Sequence, residues 1–356
     1  MIPHNIRFFN RINPISRVNI KYYIHERILV MCTAISINNK HHYFGRTLDI
    51  ECDIARDVVI SPRNFVFSFR NSNTINHHAA IIGAATVSDN YPLYYEATNE
   101  HGLSIAGLNF THSAHFNCAP GKPYNIETYE LIPWILCQCS GVDNAKKILA
   151  QTNIVGNGFN PQYGTSPLHW IIADKNKSIT LESTRDGIRI YDNPLCVLTN
   201  EPPFEFHLSN IKNYIYLSPR SPKNIFLNGV EFSAYSNGMG AIGLPGDMSS
   251  ASRFVRATFL KCYSKHGSTV QEDINRFFHI MGCVEQIEGC VIIGNGNCEK
   301  TVYTSCCDTD KGIYYYTTYE NRQIVAINMH NENLDSASLV KYHMKQEQNV
   351  YYQNNN

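Results

Sequence analysis

The residues best suited to chemistry begin at Met31-Cys32-Thr33. An initiator methionine is removed when the next residue is small, so a start at Met31 leaves Cys32 as residue one. A thiolate is a nucleophile and an α-amine titrates near ~8, so one residue can supply both nucleophile and general base without a histidine. The competing reading is an inert cysteine buried at a strand start. Taken alone, Arg46 and Asp49 read as a surface ion pair, and Asn200, in Thr199-Asn200-Glu201-Pro202, as a turn residue.

Other polar clusters are less promising. His41-His42, His77-His78, His112 with His115, Cys137 with Cys139, and Cys306-Cys307 suggest metal ligands. No C-x-x-C or H-E-x-x-H accompanies them, and neighbours on a strand point to opposite faces. Neither metal nor cofactor is expected. Gly294 to Cys298 lacks the phosphate-loop lysine and reads as a turn. Tyr314-Tyr315-Tyr316 reads as a packed aromatic strand, because base stacking would be accompanied by a basic groove.

Alternation and apolar runs place strands at Thr33 to Asn38, Tyr43 to Ile50, Asp57 to Phe69, Ala79 to Val87 and Gly102 to Phe110. Helical spacing covers Ile126 to Gln138 and Val142 to Gln151. Strands return at His169 to Ala173, Ser178 to Ser183 and Gly187 to Tyr191. Helices follow at Ala251 to Ser264 and Val270 to Met281, the second opened by a Thr269/Glu272 capping box. The chain closes with strands at Val302 to Ser305, Ile313 to Tyr319 and Ile324 to Met329. Strands and helices come in blocks, which favours an α+β sandwich with antiparallel sheets over a doubly wound sheet.

The chain has 356 residues, 43% hydrophobic and 17% charged, enough for a large core. Its formal net charge is zero, so no global field favours nucleic acid. Residues 1–30 carry five basic residues against Glu26, and the remainder has a net charge of −4. This leader lacks an uninterrupted apolar region, and no run of 18 apolar residues occurs, so neither a standard export signal nor a membrane-spanning helix is expected. A soluble cytoplasmic protein is the expectation. The 12 cysteines are then reduced and mostly buried. A single domain over 32–350 is expected, with a frayed tail at 351–356.

Eight short segments, in order, carry a resemblance: MCTAI (31–35), FGRTLD (44–49), YPLYYEA (91–97), AGLNF (106–110), LTNEP (198–202), GLPGD (243–247), SRFVR (252–256) and YTTYENRQI (316–324). From Met31 to about Met329 the chain resembles the choloylglycine hydrolase family, the conjugated bile salt hydrolases and penicillin V acylases. The resemblance implies the N-terminal nucleophile fold, an αββα four-layer sandwich with two antiparallel sheets. It implies that Cys32 is the nucleophile, Arg46 the cation beside the sulfur, and Asp49 the acid that holds the α-amine. Strict alternation puts Arg46 and Asp49 on opposite faces, so a bend or bulge is expected between them. Asn109 and Asn200 match two asparagines near the reacting carbonyl, Asn200 being the stronger oxyanion donor, and Arg253 matches an arginine that supports the network.

Asn109, where penicillin V acylases commonly have Tyr, and the YPLYYEA segment point to the bile salt branch. The implied reaction is hydrolysis of glycine- or taurine-conjugated bile salts. Leu48, Tyr91, Tyr95 and residues 154–166 are expected to line an apolar pocket. The family commonly forms homotetramers through an extended loop, for which 208–236 is the candidate. Alternatives are penicillin V or another N-acyl amide as substrate, and a catalytically silent binding protein of the same fold. Thr47 stands where the family often has Asn, and Cys196 where Gly is common; 289–298 is unusual for its region. Residues 1–31 are expected to be absent from the working enzyme, either as a propeptide or because translation starts at Met31.

Overall fold

The computed structural model describes residues 31–52, 54, 57–116, 122–226, 228–294 and 296–354. The leader, up to residue 30, lies outside the described residues, as do the last two residues of the tail.

In chain order, β1 (Met31–Asn38), β2 (His42–Ile50), β3 (Asp57–Ser61), β4 (Ile81–Ser88), β5 (Tyr91–Asn99) and β6 (Ser104–Asn109) come first. β7 (Tyr124–Glu127) leads to α1 (Leu131–Gln138) and α2 (Val142–Ala150), then β8 (Thr152–Val155), β9 (Leu168–Ala173), β10 (Ser178–Thr184), β11 (Gly187–Asp192) and the short β12 (Val197–Leu198). α3 (Phe204–Asn210), α4 (Ser250–Tyr263) and α5 (Val270–Gly282) precede β13 (Lys300–Asp308), β14 (Ile313–Thr318), β15 (Val325–Asn328) and β16 (Val340–His343).

Two antiparallel sheets result, with strand orders β12-β1-β2-β13-β14-β15 and β11-β10-β9-β6-β5-β4-β3-β16; β7 and β8 pair in parallel apart from them. Both faces of the larger sheet are apolar, as the period of two requires. Val58 and Ile60, Ala106 and Leu108, and Ile171 and Ala173 join the cluster that includes Cys32, whereas Val59, Ile105 and Ile172 pack with Ile132, Trp134 and Ile135 of α1. α4 and α5 cover the smaller sheet through Phe254, Ala257, Ile274 and Phe277. The layers are therefore αββα, as the resemblance implied.

Differences from the sequence reading have local causes. β3 stops at Ser61 because Pro62 follows and cannot donate to a ladder. α1 begins at Leu131, which keeps Pro133 in the first turn, where no intrahelical N–H bond is lost; Tyr124–Glu127 pairs as β7 instead. β5 occupies 91–99, where the sequence reading placed no strand. The capping box holds: Thr269 Oγ1 accepts from Glu272 N at 3.2 Å and Glu272 Oε2 from Thr269 N at 3.2 Å. All eleven described cysteines are free thiols, but Cys262, Cys283 and Cys290 are exposed, fewer buried than expected.

Cys196 has φ = 50°, in the left-handed region. A Cβ costs about 1–2 kcal/mol there, which is why glycine suits this position. Cys196→Gly is expected to stabilise the fold by about 1 kcal/mol. The measurement is urea unfolding: a higher midpoint with unchanged slope is expected, and a lower midpoint contradicts the strain.

Candidate active site

The nucleophile candidate lies on the first strand of the smaller sheet. The β1/β2 register pairs Met31 with Asp49, Cys32 with Leu48, Thr33 with Thr47 and Ala34 with Arg46. Cys32, Leu48 and Arg46 therefore share the face toward the larger sheet, and Thr33, Thr47 and Asp49 share the face toward the helices. The bulge expected between Arg46 and Asp49 is absent: β2 pairs with β1 without interruption, and the register shift lies on its other neighbour, between Thr301 and Tyr303 of β13. The opposite faces send the two side chains apart: the Arg46 guanidinium goes to the Cys32 thiol, and the Asp49 carboxylate to the hydroxyls of Thr47 and Thr301 on the helix side.

Arg46 is 1% exposed and spans the space between the sheets. It donates to the Cys32 thiol from Nη2, to the carbonyls of Gly107 (2.5 Å) and Tyr95 (3.2 Å) from Nη1, and to Thr47 O (3.1 Å) from Nε. Glu96, also buried, lies 3.9 Å from Nε and accepts from the hydroxyls of Tyr303 (2.6 Å) and Tyr314 (2.5 Å). Gly45 lets β13 approach β2 here, since a Cβ on it would sit 2.0 Å from Ser305 O.

The backbone end of Cys32 is held from the helix side. Its N donates to Asn200 Oδ1 at 2.8 Å. Arg253, fully buried in the first turn of α4, donates to Cys32 O (2.5 Å) and Thr33 Oγ1 (2.7 Å) from Nη1, and to Asn200 Oδ1 (2.7 Å) from Nη2. Ser249 caps α4 and so aims Arg253 inward. Asn200 Nδ2 reaches Asn109 O at 3.0 Å, and Asn109 Oδ1 accepts from Thr111 Oγ1 at 2.6 Å. Both carboxamides are thus oriented with the NH2 end as donor. Asp49 accepts from Thr301 Oγ1 (2.6 Å) and Thr47 Oγ1 (3.1 Å). Thr47, where the family often has Asn, therefore serves the carboxylate directly, and it also accepts from Thr33 N at 3.1 Å.

The electrostatics are those of a buried thiol. Burial pushes Cys32 up to about 11; the Arg46 charge opposes this, Asp49 adds to it, and Arg253 opposes it more weakly. Burial likewise raises Asp49 to about 6 against the pull of Arg253 and the two threonine hydroxyls. Glu299, the residue before β13, rises to about 8 through burial and the Asp49 charge.

Six sequence-chosen residues thus converge: Cys32, Arg46, Asp49, Asn109, Asn200 and Arg253. Of the pocket candidates, Leu48 lies buried on the Cys32 face. Tyr95 is half-buried, its carbonyl on Arg46 and its hydroxyl 3.0 Å from Thr86 Oγ1. Tyr91 packs instead against Phe67, Tyr129 and Phe159 on the outer side of the larger sheet, where it meets the 154–166 segment through Phe159. Glu96 and Glu299 escaped the sequence reading; the available signal for Glu96 was a lone acid inside an apolar strand. Among the described residues no three His, Cys, Asp or Glu side chains cluster as metal ligands, and no helix is long and apolar enough to cross a membrane. His41 turns to Asp308 and His42 to Ser36 and Thr309.

Two facing antiparallel sheets, with the candidate nucleophile on the first strand, define an N-terminal nucleophile hydrolase architecture. Residues 32–342 match the family model of linear amide C–N hydrolases, choloylglycine hydrolase family, and the chain belongs to that family. It is 46% identical over 321 residues to a bile salt hydrolase/transferase from Lactiplantibacillus plantarum, covering 90% of this chain and 99% of that one. The structure resembles that of a mutant conjugated bile acid hydrolase from Clostridium perfringens (TM-score 0.84, 34% identity, 91% of this chain and all of that one). It shares its fold with a penicillin V acylase from Agrobacterium tumefaciens (TM-score 0.71, 19% identity, 88% and 91%).

Proposed function

We propose that this chain is a cysteine amidohydrolase that cleaves the amide of glycine- or taurine-conjugated bile salts, with Cys32 at the mature N-terminus. The carrying observation is that one residue, Cys32, has its thiol on Arg46 and its nitrogen on Asn200. The relatives named for bile salt or conjugated bile acid hydrolysis support the substrate class. In this reading the Cys32 thiolate, stabilised by Arg46, attacks the carbonyl and forms a tetrahedral oxyanion that accepts from the Asn200 carboxamide, helped by Asn109. The Cys32 ammonium protonates the departing glycine or taurine nitrogen, leaving a thioester. The free amine then takes a proton from water, whose oxygen attacks the thioester and releases the bile acid. Asp49 and Arg253 position the amine and the Asn200 carbonyl. Leu48 and Tyr95 offer apolar surface to the sterol.

Side-by-side turnover of taurocholate, glycocholate and penicillin V tests this. The conjugates are expected to be the better substrates by kcat/KM; a clear preference for penicillin V would overturn the assignment, and no turnover of any would favour a silent binding protein.

We also infer that copies associate, as a tetramer, through the segment after α3. It exposes Ile225 (95%), Phe226 (90%) and Tyr235 (86%), apolar side chains that a second copy would cover. Sedimentation velocity at micromolar concentration is expected to show a tetramer; a monomer would exclude it. A cytoplasmic setting, which would keep the twelve cysteines reduced, fits the same reading.

A further inference from the structure

Glu299 has no part in the reaction as written, yet it is a buried acid beside the bond that must be cut to create the amine. It ends a hairpin over 291–299: Ile293 N donates to Asn297 O (2.9 Å), Gly296 N to Ile293 O (2.8 Å) and Glu299 N to Val291 O (3.0 Å). This turn delivers Glu299, 1% exposed, to the front of β1, where its Oε1 accepts from Met31 N at 3.0 Å.

We propose that Glu299 is a positioning residue for the Cys32 α-amine: it binds the Met31 N–H while the preceding residue is attached, and takes the Cys32 ammonium once Met31 is gone. The inference rests on the proposed function above. Cutting the Met31–Cys32 bond removes the donor that Glu299 now uses and creates, one residue away, an ammonium with three N–H donors. Asn200 Oδ1 already accepts from that nitrogen and can take only part of the new set. A buried carboxylate left without its donor pays a desolvation cost that pairing with the ammonium removes. The other charged groups facing this point are Asp49 on β2, Glu51 just past β2, Arg46 on β2 and Arg253 on α4, besides the thiol itself. The amine thus lies among carboxylates and guanidiniums, and deleting one carboxylate weakens its hold on the proton.

The direction follows. A carboxylate at the amine raises the amine pKa, so the alkaline limb of the kcat/KM profile, where the ammonium that must protonate the leaving nitrogen is lost, lies at higher pH. In a chain beginning at Cys32 and assayed on taurocholate, Glu299→Gln is expected to move that limb about one unit toward acid. Glu299→Asp is expected to keep the wild-type limb. Parallel wild-type and Glu299→Gln profiles, differing only in height, would overturn the proposal.

A second measurement needs no variant. With 13C-labelled glutamate carboxyls, Glu299 is expected to titrate near about 8 in the full chain and below about 5 in the chain beginning at Cys32. An unmoved titration would also overturn it. Loss of the proposed function would appear earlier and differently, as an inactive wild-type chain beginning at Cys32.

Discussion

Replacing Cys32 with alanine, in a chain beginning at residue 32, is expected to lower turnover by at least about 10^4-fold while the protein still folds. The thiol is the one atom placed both beside the Arg46 guanidinium and on the residue whose nitrogen meets Asn200. No neighbouring side chain can substitute: Thr33 faces the helices and bonds Arg253, and Leu48 is apolar. Folding survives because Arg46 keeps its bonds to Gly107, Tyr95 and Thr47 when the sulfur goes. Cys32→Ser is expected to be nearly as damaging, since a hydroxyl is far harder to ionise than a thiol. The check is steady-state hydrolysis of taurocholate alongside circular dichroism. A folded alanine variant that retains even a few per cent of wild-type activity would refute the role of the sulfur.

The second large effect concerns the nitrogen. A chain that retains residues 1–31 is expected to show essentially no turnover, and removal of everything before Cys32 is expected to restore it. While Met31 is attached, the Cys32 nitrogen is an amide, which donates to Asn200 but cannot accept a proton. With the thiol pushed up to about 11, only about one molecule in 10^4 carries a thiolate at pH 7. Freeing the amine adds a positive charge beside the sulfur and lowers its pKa. Alkylation of Cys32 by iodoacetamide should therefore still be accelerating at pH 9 in the longer chain, and should level off at lower pH in the shorter one. Mass spectrometry of each chain after assay shows which form was present. A longer chain that stays intact and turns over at the rate of the shorter one would contradict the requirement for a free amine.

The layered fold could be read from the sequence because it depends on local alternation. Runs such as those of β1, β2 and β6 carry their period in consecutive residues, and Thr269 with Glu272 marks a helix start within four residues. What escaped depended on a distant partner. The register shift that sequence reasoning placed in β2 belongs to β13, more than 250 residues away, where Val302 is the extra residue. β5 escaped because a second irregularity, against Ala84 and Ala85 of β4, breaks its alternation around Tyr95. In the candidate site, the six residues were found by resemblance, since spacing alone read Arg46, Asp49 and Asn200 as surface or turn residues. Glu96 and Glu299 matched no quoted segment role, and only the packing of β5 and β13 against the front of the molecule brings them near Cys32.

Arg46 leaves β2 and closes on carbonyls of β5 and β6, so the cation that serves the sulfur is also a clasp between the two halves of the sandwich. The halves cannot slide past one another without drawing that clasp off the sulfur. Heat should therefore silence the catalyst at the temperature at which the halves part, leaving no interval in which the framework is whole and the chemistry already lost.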